Sequence, residues 1–314
     1  MVKKIALEEH FLDPGLVDNW RPTMVDVAPQ KAAQLFDCLT DFGDRRLQTM
    51  DRAGIARAVL AVSGPGVQVE RDAATAARKA RASNDFLARE VQKRPDRYSG
   101  LAHLAMQDPK AAAAELERCM RELKFCGAMI NGHTNGQYLD DPALFPFWER
   151  AEALGALIYL HPADPVAPLP VLAGHTILSR PMWGWGVETG SHALRMVVSG
   201  LFERFPKAKL VIGHLGETLP FQLWRFDSRS APYGWNLPKP PSQYLKENVW
   251  VTTSGMYDLP PLRCSLDALG RDRVMFSADY PFDWPGCEFI DTVPLEESLR
   301  ADVAYNNAAK LLGL

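Results

Sequence analysis

GLFERFPKAKLVIGHLGETLPFQLWRFD, residues 200–227, contains the unit that decides the fold. The end of a helical segment leads into the short apolar strand Lys209–Ile212. A glycine turn then places His214 at the strand exit and Glu217 in the helix that follows. The same rhythm runs in both directions along the chain. Apolar or β-branched runs stand at Lys4–Leu7, Ala58–Val62, Ser99–Leu104, Gly127–Asn131, Ala156–Leu160, Lys209–Ile212, Val249–Thr252 and Val274–Ser277. Between them, helical periodicity marks Ala32–Ala53, Ala73–Gln92, Lys110–Leu123, Ala143–Leu154, Ser191–Phe205 and Leu262–Leu269, with a last helix near Ala301–Leu312. Strands alternating with helices argue for a parallel sheet. Eight such units predict an α/β fold, a (β/α)8 TIM barrel, as a single domain over residues 1–314. A doubly wound open sheet is the rival, but no G-x-G-x-x-G follows the first strand. Three long connections, Phe11–Gln30, Pro162–Val187 and Ser228–Glu247, are rich in Pro and Trp and are expected to cover a substrate on the catalytic face.

Composition narrows the function. A chain of 314 residues that is 47% hydrophobic can bury a large core, and its net charge of −3 offers no basic surface to nucleic acid or an anionic membrane. A small-molecule partner is expected. The five cysteines are odd in number and form no C-x-x-C pair, which suggests reduced thiols in a cytoplasmic protein. The N-terminal apolar stretch is too short for a signal-peptide core, and no run approaches the roughly 18 apolar residues of a membrane span.

The strand ends carry the chemistry. The first strand ends in Glu8-Glu9-His10, the fifth in His161-Pro162, the sixth in Gly213-His214 and the eighth in Asp279-Tyr280-Pro281. Side chains alternate along a strand, so Glu8 and His10 point the same way, and a barrel gathers the four strand ends around one mouth. Carboxylate oxygen with imidazole nitrogen suits one divalent transition metal rather than Mg²⁺ or Ca²⁺. Glu217 either caps its helix or fixes the tautomer of His214. Arg225, eight residues further, shares a face with Glu217 on a continuous helix, or else forms a surface ion pair. No G-x-S-x-G elbow and no nucleophile setting for a cysteine are present.

The motifs ALEEHF, YLHP, GLFERFPKAKLVIGHLGETLPFQLWRFD and VMFSADYPF together resemble the amidohydrolase-related family of aminocarboxymuconate-semialdehyde decarboxylase, including the γ-resorcylate, 2,3-dihydroxybenzoate and 5-carboxyvanillate decarboxylases. The resemblance runs from Lys3 to Leu312. It implies one Mn²⁺ or Zn²⁺ held by Glu8, His10, His161 and Asp279, with His214 beside it or ligating it. It further implies Arg225 on the acidic groups of the substrate, Ser63 as a hydroxyl in the pocket, and a homodimer or homotetramer. INGHTNGQYLD and WGVETGSHALR resemble the carboxyvanillate enzymes, whereas Glu8-x-His10 follows the γ-resorcylate pattern. Lys31 replaces the arginine, and Phe282 the tyrosine, of the carboxyvanillate pattern, which weakens a site for a second carboxylate.

The expected activity is therefore non-oxidative decarboxylation of an ortho-hydroxylated aromatic acid. Direct loss of CO2 would leave an aryl carbanion in the ring plane, whereas an ortho-hydroxyl lets the carboxyl-bearing carbon be protonated first. Asp279 is the expected proton donor, with His214, oriented by Glu217, as the competitor. Arg225 and Lys31 are expected to hold the remaining anionic groups. The alternative is a metal-dependent hydrolase or hydratase, but a binuclear hydrolase would usually place a bridging lysine where Asn131 ends the fourth strand.

Overall fold

The computed structural model describes residues 1–314, apart from the side chain of Pro285. Its strands are β1 (Lys4–Phe11), β2 (Ile55–Val62), β3 (Tyr98–Gly100), β4 (Ala102–His103), β5 (Gly127–Asn131), β6 (Leu157–His161), β7 (Lys209–Ile212), β8 (Val249–Thr252) and β9 (Val274–Met275). They pair in parallel in the orders β1-β2-β3 and β4-β5-β6-β7-β8-β9. β3 and β4 are halves of one expected strand, interrupted at Leu101, whose N–H still donates to Leu60 O at 2.9 Å. The ring closes between the ends of β1 and β9, where His10 N donates to Tyr280 O at 2.8 Å and Glu8 N to Ser277 Oγ at 2.7 Å. At this seam the buried Glu9 carboxylate accepts from Ala278 N at 2.9 Å, a side chain standing in for a ladder bond. These strands and the helices between them form the expected TIM barrel.

Ile5, Leu7, Val59, Ala61, Leu101, Met129, Leu157, Tyr159, Val211 and Met275 fill the barrel interior, and Ala308 of the C-terminal helix joins them. A second shell of buried residues, including Phe11, Leu60, Trp148 and Phe202, packs between the strands and the helices. Strict alternation from Ile5 and Leu7 would turn Glu9 inward and leave Glu8 and His10 outside. The pairing register prevents this. Ala6 faces Ala58 but Glu9 faces Leu60, so β1 carries one extra residue there. That bulge puts His10 opposite the inward-facing Ala61 and brings Glu8 and His10 over the mouth.

Helices depart from the sequence expectation where the chain supplies its own stops. The segment 32–53 is two helices, Pro29–Leu39 and Asp44–Arg52, because Asp41 accepts from Gly43 N and Arg46 N in a turn between them. The segment 191–205 begins earlier, at Gly184, and breaks at Gly200, whose φ of 77° is open to glycine. Two of the three long connections reach the catalytic face. Residues 18–27 and 162–186 contribute walls to the cavity there. The third, Ser228–Glu247, does not line that cavity; its Trp235 Nε1 donates to Lys239 O at 2.9 Å and its ring lies against Tyr244. No helix among the described residues is long and apolar enough to cross a membrane, and the five cysteines are free.

Candidate metal centre and active site

Glu8, His10 and His161 place one potential ligand atom each within 4.8 Å of one another, and Glu8, His214 and Asp279 form a second such group sharing Glu8. Five side chains from four strand ends thus converge. His10 Nε2 lies 3.2 Å from Asp279 Oδ1, and His161 Nε2 lies 3.4 Å from Glu8 Oε1. Among the described residues, Glu8 Oε1, both ring nitrogens of His10 and Asp279 Oδ1 are buried without a hydrogen-bond partner. Buried polar atoms are rarely left so, and a group of them aimed at one point marks a ligand shell.

The surrounding groups orient this shell. Tyr159 OH and Ser254 Oγ both donate to Glu8 Oε2, which leaves Oε1 as the free face of that carboxylate. Tyr159 has spent its proton on Glu8, so the 2.7 Å contact to Thr252 Oγ1 has Thr252 as donor. Gly213 completes the fit, since a Cβ there would meet Glu8 Oε2 at 2.7 Å. His161 uses Nδ1 on Pro162 O at 2.8 Å and so presents Nε2. His214 uses Nδ1 on Glu217 Oε1 at 2.7 Å, the tautomer-fixing reading of Glu217. Replacing Tyr159 by Phe removes one donor from Glu8 without a change of shape, and it is expected to weaken metal affinity about tenfold, measured by competition with a chromogenic chelator. Unchanged affinity would assign the orientation of Glu8 to Ser254 alone.

Burial holds the imidazoles of His10 and His161 down, at about 4 and about 3, so both are neutral and able to ligate. Burial also pulls on His214, but the Glu217 carboxylate at its Nδ1 outweighs it and the imidazole is pushed up to about 10. Burial raises the Asp279 carboxyl to about 7. The backbone here is unusual. His214, Leu215, Glu217, Thr218 and Asp279 all have φ between 51° and 67°, a region that non-glycine residues occupy at a cost of about 1–3 kcal/mol each. Such conformations collect where side-chain direction matters more than backbone ease.

That left-handed run corrects the expectation for Arg225 and for the helix position of Glu217. The helix begins only at Leu219, after the chain has turned, so Glu217 lies before it and the eight-residue spacing does not place Arg225 on its face. Arg225 is exposed and outside the cavity lining, as is Lys31 on the helix Pro29–Leu39. Ser63, His161, His214, Glu217 and Asp279 all line the cavity, whose volume is about 1330 Å³. Its mouth is tied across loops by Arg180, which donates to Thr23 O at 3.0 Å and Asp164 Oδ2 at 3.1 Å, while Trp185 Nε1 reaches Asp164 Oδ1 at 2.7 Å. His103 and His192 are structural, each accepting a backbone N–H at 2.8 Å, from Val67 and Leu139. Sequence reasoning missed Tyr159, Thr252 and Ser254. Tyr159 was within reach, since strand alternation puts it on the same face as His161.

A family model described as Amidohydrolase matches residues 40–314. The chain belongs to the amidohydrolase family. This amidohydrolase is 39% identical to γ-resorcylate decarboxylase of Polaromonas sp. strain JS666, over 99% of this chain and 98% of the relative. The crystal structure of dihydroxybenzoic acid decarboxylase from the same organism, with bound manganese and the inhibitor 2-nitroresorcinol, superposes with a TM-score of 0.92 at 38% identity, covering 100% of this chain and 98% of that one. The 5-carboxyvanillate decarboxylase of Sphingomonas paucimobilis superposes equally well, with a TM-score of 0.92 at 37% identity and all of both chains covered.

Proposed function

We propose that this amidohydrolase is a metal-dependent, non-oxidative decarboxylase of an ortho-hydroxylated aromatic carboxylic acid. The observation that carries the reading is the cluster of unpartnered ligand atoms on Glu8, His10 and Asp279, which lies against a cavity lined by Asp279, His161 and His214 and large enough for an aromatic acid. The full-length similarity to decarboxylases of γ-resorcylate and of 5-carboxyvanillate supports it. Glu8, His10, His161 and Asp279 would hold the ion, with His214 adjacent or as a further ligand. This mixed carboxylate and imidazole set fits Mn²⁺, the ion in the related crystal structure, and it also fits Zn²⁺. A divalent ion there supplies Lewis acidity and positive charge against a substrate with adjacent anionic oxygens.

The protein's own groups do the rest. The Asp279 carboxyl delivers a proton to the ring carbon that bears the carboxylate, and the dearomatised acid loses CO2 as aromaticity returns. His214, held by Glu217 through Nδ1, is the alternative proton source when it stands beside the ion rather than ligating it. The walls from residues 18–27 and 162–186 limit access of water. Ser63, 3% exposed and lining the cavity, is placed to meet a polar substituent. Arg225 and Lys31 remain the expected anion-holding groups only if another copy of the chain or a loop movement brings them to a cavity. A homodimer or homotetramer is consistent with this, because Phe221, Trp224 and Tyr233 are exposed by 78%, 76% and 86% on and just after the helix that carries Arg225. A cytoplasmic role in the breakdown of aromatic compounds, by a single domain over residues 1–314, fits the free thiols and the substrate class.

The test is a panel of ortho-hydroxybenzoates, including 2,6-dihydroxybenzoate, 2,3-dihydroxybenzoate and 5-carboxyvanillate, offered to the Mn²⁺-loaded protein, with acid loss followed by ultraviolet absorbance and CO2 measured. Stoichiometric CO2 from at least one acid is the expected result. Inertness across the panel would favour the hydrolase or hydratase alternative.

A further inference from the structure

The side chains of the metal centre are not all held in the same way. Glu8 is fixed by Tyr159 and Ser254, His161 by Pro162 O, and His214 by Glu217. His10 and Asp279 have no such tether. Among the described residues, both ring nitrogens of His10 and Oδ1 of Asp279 lack a hydrogen-bond partner, and Val62 O, near the His10 ring, lies outside hydrogen-bonding geometry. The direction of these two side chains therefore comes from the backbone that carries them and from what grips that backbone.

Arg46, buried in the helix Asp44–Arg52, grips it. Its guanidinium donates to three main-chain carbonyls, from Nε to Asp41 O at 2.8 Å and from Nη2 to His10 O at 2.7 Å and Cys38 O at 3.1 Å. The face of the same group lies 4.4 Å from the ring centre of Tyr280, the residue after Asp279. His10 N in turn donates to Tyr280 O at 2.8 Å. These contacts close a loop from Arg46 to His10 to Tyr280 and back, across the seam between the ends of β1 and β9. Packing alone does not call for a guanidinium here, because burying its charge costs more than burying an apolar side chain of similar volume. What it adds is direction: a planar fork that bonds at fixed angles along its edge while an aromatic ring stacks on its face, which lysine and methionine cannot reproduce.

We infer that Arg46 is a positioning residue of the metal centre, which by joining His10 O to the Tyr280 ring holds the two untethered side chains, His10 and Asp279, facing each other. The inference rests on the metal centre of the proposed function and not on the identity of the substrate. Arg46 itself touches neither ligand atom, and it is not among the residues lining the cavity.

The experiment compares the wild type with Arg46→Lys, which keeps the charge and loses the fork, and with Arg46→Met, which keeps the volume alone. Tyr280→Leu removes the stacked ring and leaves the three hydrogen bonds of Arg46 in place. Asn248→Ala is the control for plain loss of stability, since Asn248 is also buried, donates to Pro206 O at 3.0 Å and Ala208 O at 2.9 Å, and lies outside the cavity lining. Melting temperature is measured without metal, Mn²⁺ affinity by competition with a chromogenic chelator, and the zero-field splitting of the bound ion by electron paramagnetic resonance. Both Arg46 variants are expected to bind Mn²⁺ about 10- to 100-fold more weakly, and Tyr280→Leu about tenfold, each with an altered spectrum. Asn248→Ala should melt earlier yet keep the wild-type affinity and spectrum. Any of the first three that folds and binds Mn²⁺ with wild-type affinity and spectrum overturns the inference, and if neither Arg46 variant folds, Tyr280→Leu decides it on the same terms. A matching loss of affinity in Asn248→Ala, or a wild type that binds no Mn²⁺, overturns it as well. None of these readouts uses a substrate, so a protein inert on every acid would overturn the decarboxylase reading and leave this inference standing.

Discussion

Removal of the metal by a chelator is expected to lower turnover by about a thousandfold or more, with recovery on adding Mn²⁺. The magnitude follows from the Lewis-acid contribution, several kcal/mol in related chemistry, at about 1.4 kcal/mol for each factor of ten. Five side chains fall into two clusters that share Glu8, and two of them, Glu8 and Asp279, are carboxylic acids in a buried mouth. Without a cation those acids oppose each other across a low-dielectric space, so the ion stabilises the fold as well as the reaction. An ion that binds only the folded chain at a hundred times its dissociation constant adds about 2.7 kcal/mol. Chelation should therefore lower the melting temperature, and Mn²⁺ should restore it, whether or not the right acid has been found. A chelated protein, shown by elemental analysis to be free of metal, that keeps its full rate would remove the ion from the mechanism.

The barrel was legible because its strands are short, apolar and regularly spaced: β5, β7 and β8 match the expected runs residue for residue. Strand ends were legible for the same reason, and Glu8, His10, His161, His214 and Asp279 meet as their places on four strands require. What the sequence hid were local breaks in periodicity. The bulge in β1 turns Glu8 inward against strict alternation, and nothing in ALEEHF marks the extra residue. The left-handed run from His214 to Thr218 includes a leucine, a glutamate and a threonine, which favour other conformations, so HLGETLPF reads as a helix start four residues too early. That single displacement accounts for the helix face that Arg225 and Glu217 do not share. A rule based on helical spacing holds only while the helix is continuous. Hydroxyl networks were also invisible, because Tyr159 and Ser254 meet Glu8 from 151 and 246 residues away in sequence and Thr252 joins only through the other two hydroxyls.

Replacing Asp279 by Asn is expected to reduce kcat by about 10²- to 10⁴-fold, the usual contribution of a positioned proton donor, while most of the metal stays bound. Asparagine keeps the shape and one coordinating oxygen but carries no transferable carboxyl proton. The geometry favours Asp279 for the role. It sits just beyond β9, its φ of 52° is imposed by its surroundings, its Oδ1 is 3.2 Å from His10 Nε2, and it lines the cavity where a substrate ring would lie. Burial raises its carboxyl above the usual carboxylate range, the direction that lets it carry a proton, and a bound divalent cation opposes that shift. His214 is the competitor, and Glu217→Gln separates the two. That change removes the carboxylate that makes the imidazole basic, so it would cost more than the Asp279 substitution if His214 delivered the proton. With Asp279 as donor, Glu217→Gln costs less, and Asp279→Asn shows the larger fall in kcat with little change in KM. An Asp279→Asn protein with normal metal content and undiminished kcat would exclude Asp279 as the donor and leave His214, whose other nitrogen is already fixed by Glu217, as the group that protonates the ring.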